Sequence, residues 1–131
     1  MKSILGIGNA ITDIPVVLPD NSLLGELGFA PGSMSHVDDC RAAKIWEKIQ
    51  KYSLEFIQGG SAANTIVAAS MLGMQGGFIG KVGDDRIGEI FREGLQESGV
   101  VPQLFIGSGA SCKAVTFITQ PSGERTFATC L

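Results

Sequence analysis

Gly59-Gly60-Ser61-Ala62-Ala63-Asn64 puts a glycine pair, a hydroxyl and an amide at the expected start of a helix. Glycine permits close backbone approach, and a helix start presents N–H groups that lack intrahelical partners. Asn64, in the first turn, can both donate and accept through one amide. A neutral polyhydroxyl ligand needs both kinds of partner, whereas a bare phosphate needs donors. The segment therefore reads as a small-molecule site, and a helix cap with a packing glycine and an incidental Asn is the alternative. Asp13 closes the polar turn that begins at Asn9. Its carboxylate can accept from two adjacent hydroxyls at once, which suits a sugar; a turn-capping Asp is the plainer reading.

Other groups suggest less chemistry. Asp84 and Asp85 in Gly80-Lys81-Val82-Gly83-Asp84-Asp85 could hold Mg2+, but they sit where carboxylates complement the dipole of a helix beginning near Arg86. Lys81 reads as solvated. Gly6-Ile7-Gly8-Asn9-Ala10-Ile11 opens like a dinucleotide fingerprint, yet Ile11 stands where close packing wants Gly or Ala. Pro15 also interrupts the helix that should follow. Cys40, Cys112 and Cys130 are odd in number and lack metal or redox spacing, which predicts reduced thiols in a cytosolic protein. The single histidine, His36, has no second ligand at metal spacing and reads as a surface or lid residue; no metal site is expected.

The elements that must position these groups alternate. Ile4 to Gly8 and Ile14 to Leu18 read as strands, the second placed at an edge by Pro15 and Pro19. Leu23, Leu24 and Leu27 suggest one helical turn, and Met34 to Val37 a short extended piece. Asp38 caps a helix whose Ala42, Ile45, Trp46 and Ile49 form one apolar stripe, so Trp46 is expected in the core. Leu54 to Ile57 reads as a buried strand, Ser61 to Leu72 as a helix closing on Gly73, and Gly77 to Val82 as a strand. Ile87, Ile90, Phe91 and Leu95 mark an amphipathic helix that stops at Gly99. Ala114 to Thr119 and Arg125 to Thr129 form a hairpin through Gln120-Pro121-Ser122-Gly123-Glu124. The alternation predicts an α/β domain with a parallel sheet and a β-rich tail.

Composition narrows the function classes. The 131 residues are 44 % hydrophobic with a net charge of −3, which describes a globular chain without a basic footprint for nucleic acid or an anionic membrane. The apolar start is too short and too soon interrupted by Asn9 and Asp13 for a signal peptide, and no run has membrane-spanning length. A cytoplasmic protein is expected.

Gly59-Gly60-x-x-x-Asn64, the helix through Leu72 and Gly80-Lys81-Val82-Gly83-Asp84-Asp85 resemble the first signature of the PfkB sugar and nucleoside kinases, the ribokinase family. Gly8-Asn9-Ala10-Ile11-Thr12-Asp13, Ser98-Gly99-Val100 and Ser122-Gly123-Glu124-Arg125-Thr126 agree with it, so the resemblance runs through essentially the whole chain. It implies a ribokinase-like parallel-sheet α/β domain with a small β lid. Residues 1–131 would be the N-terminal substrate-binding portion, with lid strands within 9–37 and 106–131 and the C-terminal ATP-binding half absent. It implies substrate contacts at Asn9, Ile11, Asp13, Gly59, Gly60, Ser61 and Asn64, and lid contacts at Ser33, Met34, Ser35, Ala114 and Thr116.

The family's catalytic base is an Asp in a late Gly-Ala-Gly-Asp run. Gly107-Ser108-Gly109-Ala110 has no Asp, so no catalytic residue is assigned in this chain. ATP and Mg2+ would serve the complete enzyme and neither is expected on this chain alone. The long stretch between Asp13 and Gly59 resembles the adenosine-kinase-like layout, which makes the small-molecule partner a nucleoside or a furanose sugar; a homodimer through the lid is the remaining partner expectation. Ser111-Cys112 departs from the Thr-Gly step of many members and leaves the pocket wall, and so the substrate, open. A non-catalytic nucleoside- or sugar-binding module, and a purely structural interface, stand as alternatives.

Overall fold

The computed structural model describes residues 2–131. In chain order its elements are β1 (Ser3–Ile7), β2 (Ile11–Leu18), α1 (Ser22–Leu27), β3 (Met34–His36), α2 (Asp39–Ile49), β4 (Ile57–Gly59), α3 (Ser61–Met71), β5 (Gln75–Gly83), α4 (Arg86–Glu97), β6 (Val100–Gly107), β7 (Cys112–Thr119) and β8 (Glu124–Cys130). They fall into two compact units, Met1–Thr12 with Phe56–Cys112, and Asp13–Glu55 with Lys113–Leu131.

The first unit is built on a parallel sheet of order β1-β5-β6, in register from Ser3 with Gln75 and from Gly76 with Val100. Its two helices have clear local causes. Asp85 caps α4 by accepting from the Gly88 N–H at 2.8 Å, and Ile87, Phe91 and Leu95 recur at helical spacing on the buried side. At the end of α3 the Gly73 N–H donates to the Ser70 carbonyl and the Met74 N–H to the Ala69 carbonyl, a closure that the left-handed φ of 95° at Gly73 allows. Ala10, Ala63, Ile66, Phe78, Val82, Phe91, Leu95 and Val100 form one core, with the Phe78 and Phe91 ring centroids 5.8 Å apart.

The other face of that sheet is bare. Leu5 and Ile7 on β1 alternate with the core-facing positions, as do Val101 and Phe105 on β6, and all four are more than half exposed. Parallel sheets are ordinarily covered on both faces, and a contiguous apolar patch of this kind drives association. The 131-residue chain is therefore expected to self-associate. Its sedimentation coefficient should rise with concentration, and Ile7→Lys with Phe105→Lys should restore a monomer; a wild-type monomer with a sharp melt at all concentrations contradicts this.

The second unit pairs β3 parallel to β8 and β8 antiparallel to β7, in strand order β3-β8-β7-β2. The β7–β8 hairpin closes with the Gly123 N–H donating to the Thr119 carbonyl at 2.8 Å. Ile14, Val16, Leu18, Leu24, Ile45, Ile49, Phe117 and Ala128 are buried, and α1 and α2 contribute to this core. Arg41 stacks 4.2 Å from the Phe29 ring centroid and donates to the Leu27 carbonyl at 3.0 Å, which ties α2 to the end of α1.

Three local expectations change. β2 is not an edge strand, since β7 and β4 flank it; but a three-residue β4 cannot pair along all eight residues of β2, so β2 keeps edge character over the rest and tolerates Pro15. The strand expected at Leu54 to Ile57 begins at Ile57, which is half exposed. Trp46 is partly buried, with the Lys113 ammonium 5.6 Å from its ring, because the stripe on α2 seats Ile45 and Ile49 deepest.

Candidate substrate site

In the first unit the site segment is a helix start with unusual backbone. Gly60 is the N-cap of α3 with φ 89° and ψ 137°, and no side chain caps the helix. A Cβ on Gly60 would stand 2.8 Å from the Asn9 carbonyl oxygen. Only glycine satisfies both the torsion and the approach. The segments carrying Asn9 and Ile11 thus lie directly against Gly60, and Gly59 is buried beside them while Ser61 is exposed.

Asn64 is exposed in the first turn, its N–H bonded to the Gly60 carbonyl at 2.9 Å. Its side-chain Oδ1 accepts from Gln58 Nε2 at 3.2 Å, and the same Nε2 donates to the Gly59 carbonyl at 3.2 Å. Gln58 was not singled out from the sequence. It orients the Asn64 amide so that the Nδ2 group remains a donor toward solvent or ligand. The only signal for it is its position directly before the glycine pair.

Asp84 is exposed, and Asp85 is the α4 cap expected from sequence. Both Asp85 oxygens are engaged within the protein, and among the described residues no three His, Cys, Asp or Glu side chains gather as a metal site. Lys81 is exposed, as expected.

In the second unit Asp13 is half-buried, and burial pushes its carboxyl above its ordinary pKa. Among the described residues nothing donates to it. Thr12, Ile14, Val16 and Leu18 are buried, so alternation turns Ile11, Asp13, Pro15 and Val17 to the other side of β2. The same alternation on β7 buries Val115, Phe117 and Thr119 and leaves Ala114 and Thr116 on the open face. Register then aligns Thr116 with Phe127 and Met34, and Ala114 with Thr129 and His36.

The open face of the second unit accordingly carries Asp13, Met34, Ala114 and Thr116, together with Phe127, Thr129 and His36, of which Phe127 and Thr129 were not named as site residues from sequence. Ser35 lies opposite, in register with buried Ala128, so its side chain is on the wrong face for a ligand shared with Met34. The Ser33 hydroxyl is buried without a partner, while its carbonyl accepts from the Phe127 N–H at 2.9 Å.

Comparison with known proteins matches the chain to one family. The profile described as pfkB family carbohydrate kinase matches residues 32–131. Adenosine kinase 1 of Arabidopsis thaliana is 30 % identical over 100 residues, which cover 74 % of this chain and 29 % of that protein. Fructokinase-1 of Zea mays is 36 % identical over 70 residues, 53 % of this chain and 22 % of that protein. Among solved structures, adenosine kinase from Sinorhizobium meliloti superposes with a TM-score of 0.78 at 32 % identity, over 99 % of this chain and 39 % of that one. The chain thus spans well under half the length of the proteins it matches. With the parallel α/β sheet, the glycine-capped α3 and the profile match in agreement, the chain belongs to the pfkB family of carbohydrate kinases.

Proposed function

We propose that the complete protein transfers the γ-phosphoryl group of ATP to a hydroxyl of a nucleoside or furanose sugar in the cytoplasm, and that this chain supplies acceptor-binding residues. The observation that carries the reading is Asp13, a carboxylate held half-buried with no donor among the described residues and with its pKa raised by burial. Such a group costs stability unless a ligand satisfies it, and a pair of ligand hydroxyls does so. Asn64, oriented by Gln58, offers a donor of the kind a ring hydroxyl needs, and Gly60 lets the Asn9 segment approach the helix start. Ser61 contributes its hydroxyl, and Asn9 and Ile11 border the glycine. Ala114, Thr116, Met34 and Phe127 offer a mostly apolar surface suited to a nucleobase.

The catalytic base and the groups holding ATP and Mg2+ are assigned to sequence beyond this chain. A nucleoside is placed ahead of a hexose because the likeness to an adenosine kinase extends over 100 residues, against 70 for the fructokinase.

The test is a coupled ATPase and mass-spectrometric panel of nucleosides, ribose and fructose with the full-length protein. ATP-dependent formation of a phosphorylated nucleoside is expected. Binding of a nucleoside or sugar without turnover overturns the kinase reading in favour of a sensor module, and turnover of fructose alone overturns the substrate choice.

A further inference from the structure

Asp85 does more than cap α4. Its Oδ1 accepts from the Gly88 N–H at 2.8 Å and from the Ser111 hydroxyl at 2.6 Å, while Oδ2 accepts from the Ser111 N–H at 2.8 Å. Ser111 is buried, and its Oγ in turn accepts from the Gly83 N–H at 2.9 Å. A cap requires one acceptor for one helix N–H. Here most of the carboxylate's bonds run instead to a residue beyond the end of β6. The backbone leaves no room for slack: a Cβ on Gly83 would overlap the Gly109 carbonyl oxygen, and one on Gly88 would come within 2.6 Å of the Gly83 carbonyl oxygen.

Ser111 immediately precedes β7, and Cys112 is the last residue of the first unit before the chain passes into the second. Whatever holds Ser111 therefore holds the point from which β7 departs. We propose that Asp85 and Ser111 form a positioning latch that fixes the start of β7, and through it the presentation of Ala114 and Thr116 to the phosphoryl acceptor. Asp85 is a positioning residue in this scheme and takes no part in the chemistry. The latch stands on its own hydrogen bonds; its effect on the acceptor rests on the function proposed above.

Asp85→Asn separates the cap from the latch. The amide oxygen still accepts from Gly88 and the Ser111 hydroxyl, but the NH2 group faces the Ser111 N–H, donor against donor. Amide exchange in the 131-residue chain is the first readout. Residues 108–115 should exchange about tenfold faster or more in the variant, while Phe78 and Leu95 keep wild-type rates. Uniform acceleration, or none, overturns the latch.

Kinetics of the full-length protein is the second readout. The KM for the acceptor should rise about tenfold, with kcat and the KM for ATP within about twofold of wild type. Ser111→Ala should reproduce that split and Ser111→Thr should reverse it. An unchanged acceptor KM overturns the positioning role. A wild-type protein with no kinase activity overturns the proposed function instead, and the exchange result alone then decides the latch.

Discussion

Asp13→Asn in the full-length protein is expected to lower kcat/KM for the phosphoryl acceptor by about 10²-fold or more while leaving the fold no less stable. Hydrogen bonds to a charged acceptor contribute about 1.5–3 kcal/mol each, and asparagine retains one acceptor while turning a donor toward the second ligand hydroxyl. Because nothing among the described residues donates to Asp13, the substitution breaks no internal bond there and removes a half-buried charge.

The pH dependence has opposite signs for stability and for binding. Burial raises the folded pKa above the unfolded one, so between those two values the folded state binds more protons. Stability conferred by this group is therefore present below the unfolded pKa and is lost as pH rises through the folded pKa. Acceptor affinity runs the other way, since the ionised carboxylate is the acceptor, and increases with pH through the folded value. Urea midpoints of wild type and Asp13→Asn should diverge in the variant's favour as pH rises through that window. Equal midpoints with unchanged kinetics would remove Asp13 from the site.

Gly60→Ala should damage both the fold and the site. At φ 89° an L side chain is strained by about 1–3 kcal/mol, and the added methyl would meet the Asn9 carbonyl oxygen at 2.8 Å. A total loss of about 3 kcal/mol is expected, together with a displaced Asn64 and a higher acceptor KM. Gly109→Ala is the control, since a Cβ there meets nothing within 4 Å; its effect should stay within about 0.5 kcal/mol. Chemical denaturation of both variants at low protein concentration distinguishes them, and equal losses would mean that glycine content rather than the conformation at residue 60 matters.

Residues that announce themselves through local chemistry were readable in advance. Asp85 and Gly99 bracket α4, Asp38 caps α2, and the hairpin around Gly123 follows from its turn residues. The glycine torsion at the start of α3 is legible in the same way, since Gly59-Gly60 precedes a helical run. What the sequence hides depends on partners far away in the chain. β1 and β2 are separated only by Gly8 to Ala10 and look alike, yet they pair in different sheets. The apolar run before Ile57 suggested a strand that starts too early, because pairing rather than hydrophobicity sets where β4 begins. The phase of a three-residue strand such as β3 cannot be read locally, so the separation of Ser35 from Met34 on opposite faces, and the alignment of Phe127 with Thr116 and of Thr129 with Ala114, follow only from the register of β8 with β3 and β7. Gln58 is marked only by its place before the glycine pair, and its bond to Asn64 follows from the fold.

The pairing of Ser3 with Gln75 has a consequence for how the protein is made. β1 leaves the ribosome well before β5 and finds no partner until β5 follows, a delay of several seconds at about 5–20 residues per second. During that interval Leu5 and Ile7 are exposed, and the whole second-unit segment from Asp13 to Glu55 intervenes. By contrast, α4 joins β5 to β6 within a short stretch, and this βαβ element is able to close as soon as it emerges. The nascent chain should thus nucleate its first unit around β5, α4 and β6 and recruit β1 afterwards. Chaperone binding during synthesis is then expected to concentrate on the first strand.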